Sequence, residues 1–166
     1  MQTRARTMKN ALFASALALL VLALLPRQPV VRAAGKPVMI VMGASSTIKD
    51  IDFAILRRAF SGLAAEVSGK RLIPINHANG TPLRVAFDRV LLGLQPGDVG
   101  KYWIDKRIRD EGSPPKTVPS PELAVRIAAS LPNAITYASQ ELLNASVKVL
   151  TVGGKAPGQA GYPIMQ

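Results

Sequence analysis

The chain has no cysteine. That absence removes disulfide staples, thiolate metal sites, a lipoprotein anchor and a cysteine nucleophile together. It has a single histidine, His77. A metal site with two imidazoles is therefore impossible, and any serine–histidine pair would have to use this residue. Nothing near His77 in sequence supplies an orienting carboxylate, so it reads as a loop histidine rather than a base. Aromatic residues make up only 5% of the chain. Without an aromatic platform among its scattered basic residues, the chain does not read as a nucleic-acid binder. Acids are scarce as well, 10 against 21 Lys and Arg. Asp50/Asp52 and Asp110/Glu111 read as helix-end charges and solvated turns, not as paired acid–base catalysts. Gly43-Ala44-Ser45-Ser46 lacks the second glycine of a nucleophile elbow. The other glycine-rich loops match neither a Walker A pattern nor a dinucleotide fingerprint. The residues point to no enzyme, no cofactor and no metal.

What is present begins with a secretory signal over residues 1–33. Arg4, Arg6 and Lys9 give a basic start, Ala11 to Leu25 is a 15-residue apolar stretch, and Pro26 ends it. Val31-Arg32-Ala33 then offers small or apolar residues for cleavage before Ala34. The stretch is shorter than the ~18–20 residues of a membrane-spanning helix, so a cleaved signal is expected over an uncleaved anchor. Without Arg4, Arg6, Lys9, Arg27 and Arg32, sixteen basic residues remain against ten acids, a net charge of +6. Such a balance suits an anionic ligand or an acidic surface without requiring either. The expected location is periplasmic or secreted.

Residues 34–152 then read as one α/β domain and 153–166 as a loop-like tail holding four glycines and two prolines. The apolar run Val38 to Met42 has the length of a buried strand. Asp52 can cap a helix whose inner face carries Phe53, Leu56, Phe60 and Leu63, with Gly62 near its end. Leu72 to Ile75 gives a second strand. Leu83, Phe87, Val90 and Leu91 fall on one face of a helix over 82–92. A helix over 101–109 would turn Trp103 or Ile104, and Ile108, inward. Ser120 and Pro121 open a further helix whose expected buried stripe is Leu123, Ile127 and Leu131. Residues 134–137 and 147–150 look like closing strands. Strands alternating with helices argue for a layered α/β structure.

The organising stretch is Asn76 to Arg84. An apolar strand, a polar glycine turn and a helix with Thr81 as N-cap and Pro82 at its first position leave backbone N–H groups and a positive dipole end facing outward. Asn79, Gly80 and Thr81 are thus candidate anion ligands. Arg84, one turn into the helix, can either reach an anion held there or pair with Asp88 at i+4. An exposed pair of that kind is worth only a few tenths of a kcal/mol, so losing Arg84 should spare the fold. Ser45, Ser46 and Thr47, after the first strand, are the second polar turn; they could donate hydroxyls to the same ligand or simply bond within their loop.

Four phrases resemble the substrate-binding proteins of phosphate ABC transporters, members of the type II periplasmic-binding-protein fold. Leu56 to Gly62 looks like the family's helix ending in Ile-Phe-x-Gly. Asn79 to Phe87 is similar to its Ser-Gly-Thr phosphate turn, and Leu131 to Tyr137 to its Pro-x-Ala-Ile-Gly-Tyr. Val147 to Pro157, with Gly161-Tyr162-Pro163, is similar to its closing phrases. There are departures. Asn79 replaces the turn's serine, the family's upstream arginine and aspartate fall on Ile75 and His77, and the tryptophan after the Phe-x-Gly phrase is absent. The sequence ends where full-length relatives continue into a two-lobed clamshell. The resemblance implies a single periplasmic-binding-protein-like lobe, three-layered, with a small mixed sheet flanked by helices. It also implies an open, wet site binding phosphate or another small oxyanion weakly, within or derived from a phosphate ABC transport system. A membrane transporter or other envelope protein is the expected partner. The rival expectation is a periplasmic interaction module that keeps the fold and has lost the ligand.

Overall fold

The computed structural model describes residues 35–166; the expected signal segment lies outside them. Ala34–Gln166 forms a compact unit. Its centre is a five-stranded mixed sheet in the order β6-β5-β7-β1-β8. The strands are β1 (Met39–Gly43), β5 (Ile73–His77), β6 (Lys116–Val118), β7 (Ala134–Ala138) and β8 (Val147–Val149). β5 runs parallel to β6 and β7, whereas β1 runs antiparallel to β7 and β8. The short strands β2 (Asp50–Ile51) and β9 (Thr151–Val152) pair with each other, and β3 (Glu66–Val67) with β4 (Lys70–Arg71) closes a hairpin.

Helices cover both faces of the sheet. On one face lie α1 (Phe53–Phe60) and α2 (Pro82–Leu92), joined to the sheet through Ile40, Met42, Ile135 and Tyr137. On the other lies α4 (Pro121–Ser130), over Met39, Val41, Ile75 and Ala138. That is why every residue of β1 and β7 is buried, and why the first strand reads as a continuous apolar run rather than an alternation.

The α4 stripe differs from the expected one. Ala124, Val125 and Ala128 are buried, Leu123 and Ile127 are half-buried, and Leu131 is 42% exposed. The cause is close approach: a Cβ on Gly43 would lie 2.9 Å from Ala128 O. Helix and strand meet through small residues, and the larger ones are displaced to the flanks. In α3 (Val99–Ile108), Val99 and Trp103 face inward at i,i+4, which turns Ile104 and Ile108 outward at 60% and 78% exposure.

The C-terminal segment is irregular, as its composition implies, but it is part of the core. Ile164 and Tyr162 are buried, the Tyr162 hydroxyl donates to Val38 O at 2.7 Å, and Val38 N donates to Ile164 O at 3.0 Å. The tail supplies the bonds that the first residues of the core lack from a neighbouring strand.

Candidate functional site

β5 and β7 pair only through Ile73 and Pro74. Beyond that point side chains bridge the strands. Thr136 Oγ1 donates to Ile75 O at 2.9 Å, and the Tyr137 hydroxyl donates to Asn76 Oδ1 at 2.7 Å. The same hydroxyl accepts from His77 N at 3.4 Å. Tyr137 is held between Phe87, stacked at 3.8 Å, and the His77 ring at 4.1 Å. Burial, opposed by the Arg84 charge, pushes the Tyr137 phenol well above its ordinary value.

His77 is therefore not a loop residue. It is the last residue of β5, fully buried, and neither ring nitrogen has a hydrogen-bond partner. Burial, followed by the Arg84 charge, lowers its pKa to about 4, so the ring is neutral at pH 7.

The chain then turns over Ala78 to Thr81 into α2. Gly80 has φ 82°, in the left-handed region that favours glycine. Thr81 occupies the N-cap position with extended backbone, and Pro82 follows at the start of the helix. The Thr81 hydroxyl does not cap, however; it donates backward to Ala78 O at 3.1 Å. α1 and α4 are capped in the ordinary way, Asp52 accepting from Ala54 N at 2.7 Å and Ser120 from Leu123 N at 3.2 Å. At α2 the first-turn N–H groups receive no side-chain cap, and Asn79 and Gly80 beside them are exposed.

Arg84 is buried, with its guanidinium engaged by protein groups, although the residue still lines a cleft beside the turn. Its Nε donates to Asp88 Oδ2 at 2.5 Å and its Nη1 to His77 O at 2.9 Å. Both side chains of the ion pair are only 4% exposed. Burial raises the Asp88 pKa while Arg84 opposes the rise, and Asp88 Oδ1 has no partner. A cleft of about 80 Å³ lies beside the turn, lined by Asn79, Gly80, Arg84, Asp88, Leu94 and Pro96 among others. That volume is of the order of one small anion or a few waters.

Ser45, Ser46 and Thr47 lie elsewhere. They follow the C-terminal end of β1, which is antiparallel to β7 and so points to the end where β5 begins. The turn after β5 is at the opposite end, one five-residue strand or about 13–16 Å away. The two polar turns therefore cannot hold one small ligand between them. Ser46 Oγ accepts from Ile48 N at 3.2 Å, Thr47 Oγ1 accepts from Lys70 Nζ at 2.8 Å, and Ser46 O accepts from Lys148 Nζ.

Asn76, Asp88 and Tyr137 were not among the candidate site residues. The i,i+4 spacing of Arg84 and Asp88 signalled one member of this group. Nothing local signals that Tyr137, some sixty residues on, closes the split sheet. Among the described residues no group of three His, Cys, Asp or Glu side chains could hold a metal ion.

The sequence matches no protein-family model and no curated protein. Solved structures do resemble it. An ABC-type phosphate transport receptor from Vibrio cholerae superposes with a TM-score of 0.59 at 12% identity, over 75% of this chain and 49% of that one. PstS from Borrelia burgdorferi gives a TM-score of 0.59 at 16% identity, over 79% and 55%. A putative phosphate ABC transporter substrate-binding protein from Clostridium perfringens, with bound phosphate, gives 0.56 at 14% identity, over 75% and 48%. The fold is thus a periplasmic-binding-protein-like lobe, the one found in substrate-binding proteins of phosphate ABC transporters. The chain spans about half the length of these structures. At such identities the likeness is one of fold.

Proposed function

We propose that the protein is an exported, non-enzymatic binding protein that takes phosphate or another small oxyanion weakly at the Asn79-Gly80-Thr81 turn. The observation that carries this reading is the uncapped N-terminus of α2. Directed N–H groups and a positive dipole end remain free where a strand delivers the chain to a helix, a geometry that favours negative charge. The adjoining cleft and the fold shared with phosphate receptors support it. Arg84 acts as a support for the turn, holding His77 O from below, and its charge is largely cancelled by Asp88.

An exposed turn without a free guanidinium gives millimolar to high-micromolar affinity, on the order of −4 to −6 kcal/mol. The site weakens with added salt. The partner on this reading is a membrane transporter or another envelope protein, met after residues 1–33 have directed export.

Calorimetric titration of residues 34–166 with phosphate and sulfate tests it, with Thr81→Asp as the key variant. A carboxylate at that N-cap would occupy the orphan N–H groups itself. It should remove oxyanion binding while stabilising the helix by up to about 1 kcal/mol. Undiminished binding by that variant places the ligand elsewhere. No binding by the wild type at millimolar phosphate favours the interaction module.

A further inference from the structure

The end of the sheet opposite the α2 turn gathers positive charge from three elements. Lys49 stands on the connection after β1, Lys70 comes from the β3–β4 hairpin, and Lys148 from β8. Lys70 Nζ donates to Thr47 Oγ1 at 2.8 Å and Lys148 Nζ donates to Ser46 O, so both ammonium groups are drawn to one short loop. Lys49 follows that loop by two residues. Burial, then the like charges of Lys49 and Lys70, holds the Lys148 ammonium below the ordinary lysine range. Among the described residues two ion pairs form, Arg84–Asp88 and Arg109–Glu111, and neither involves these lysines.

A cleft of about 150 Å³ opens beside the loop, lined by Ser45, Ser46, Thr47 and Lys70 on one side and by Ser130 and Asn133 on the other. The carbonyl end of α4 adjoins it and offsets part of the charge. A helix C-terminus carries only about half a negative charge, however, against the Lys70 ammonium that lines the cleft and the Lys148 ammonium held on the same loop.

We propose that this end of the sheet is a second anion site, separate from the α2 turn, which takes a multiply charged phosphate through Lys49, Lys70 and Lys148. Three flexible point charges without a directed N–H cradle select for total charge more than for shape. The site should therefore prefer a tripolyphosphate to monophosphate or sulfate, and lose it steeply with salt. The same chemistry is offered by free polyphosphate and by an anionic lipid surface on which phosphomonoester headgroups are clustered.

Residues 34–166 contain the whole described core and form a compact unit, so the test uses that segment. Calorimetry with sodium tripolyphosphate forms one arm. Co-sedimentation with phosphatidylcholine vesicles, with and without phosphatidic acid, forms the other. The triple variant Lys49→Gln/Lys70→Gln/Lys148→Gln should weaken whichever interaction is found by at least about tenfold. If half-buried Lys148 proves necessary for folding, Lys49→Gln/Lys70→Gln should still weaken it severalfold. Tripolyphosphate binding without vesicle binding assigns a free phosphate, and vesicle binding dependent on phosphatidic acid assigns a headgroup. Wild-type protein that binds neither, or lysine variants that bind as the wild type does, overturn the proposal. The response of the Gly80 amide to monophosphate should be unchanged in these variants, so failure here is separable from failure at the α2 turn.

Discussion

Arg84 Nε lies 2.5 Å from Asp88 Oδ2 inside the protein, where both side chains are 4% exposed. An exposed i,i+4 pair contributes a few tenths of a kcal/mol, but removing one partner of a buried pair strands the other charge. Arg84→Ala should therefore lower the unfolding free energy by about 3–5 kcal/mol. It is a stability variant, unsuited to probing a ligand on an intact fold. Arg84→Leu/Asp88→Leu should recover part of the loss, the remainder reflecting the donor that His77 O no longer has. Urea denaturation of the set checks this. Equal losses in the single and double variants would show that the stranded charge is not the cause.

The His77 ring should make the protein acid-sensitive. Its pKa is about 4 when folded, against 6.5 for the unreacted imidazole of an unfolded chain. The unfolded state binds the proton first. The contribution is thus complete above pH 6.5 and is lost as pH falls through 4, on the order of 3 kcal/mol in all. Asp88, whose carboxyl is raised by burial, works in the opposite sense: its contribution is present below 3.8 and fades as pH rises through its folded value. The comparison with His77→Phe isolates the histidine, because that ring can keep the contact with Tyr137 without burying two unpartnered nitrogens. Chemical denaturation from pH 7 to 4 should show a shallower decline in His77→Phe. Parallel profiles would mean that another group governs the slope.

Phe87 is fully buried, stacked on Tyr137 and edge-on to Phe60 at 4.8 Å. Phe87→Ala should cost about 3–5 kcal/mol, a loss that includes the cavity left between α2 and β7. An unchanged denaturation midpoint would contradict this placement of the helix face.

Leu63, expected on the inner face of α1, lies beyond the end of the helix and is 38% exposed. The rest of that face, the inner face of α2, the long apolar run of β1, and the caps at Asp52 and Ser120 were legible because they depend on periodicity and on local hydrogen bonding. The α4 stripe was not. Leucine and isoleucine mark the apolar side of an isolated helix, but Gly43 draws the strand so close that alanines occupy the contact. Of the expected site, the turn with its glycine and proline could be read locally. The direction of the Thr81 hydroxyl and the burial of Arg84 could not, since both depend on what Ala78, His77 and Tyr137 do in the folded chain. The separation of Ser45 to Thr47 from Asn79 followed only from strand direction, because β1 runs antiparallel to β7 and β5 runs parallel to it.

Oxyanion binding by the free N–H groups that open α2 is read by amide-resolved NMR of residues 34–166 during a phosphate titration. Saturable shifts of the Gly80, Leu83 and Arg84 amides are expected at millimolar to high-micromolar phosphate, on the order of −4 to −6 kcal/mol, reduced by salt and absent in Thr81→Asp. Amides at that turn that stay fixed through millimolar phosphate, or that shift equally in Thr81→Asp, would contradict it.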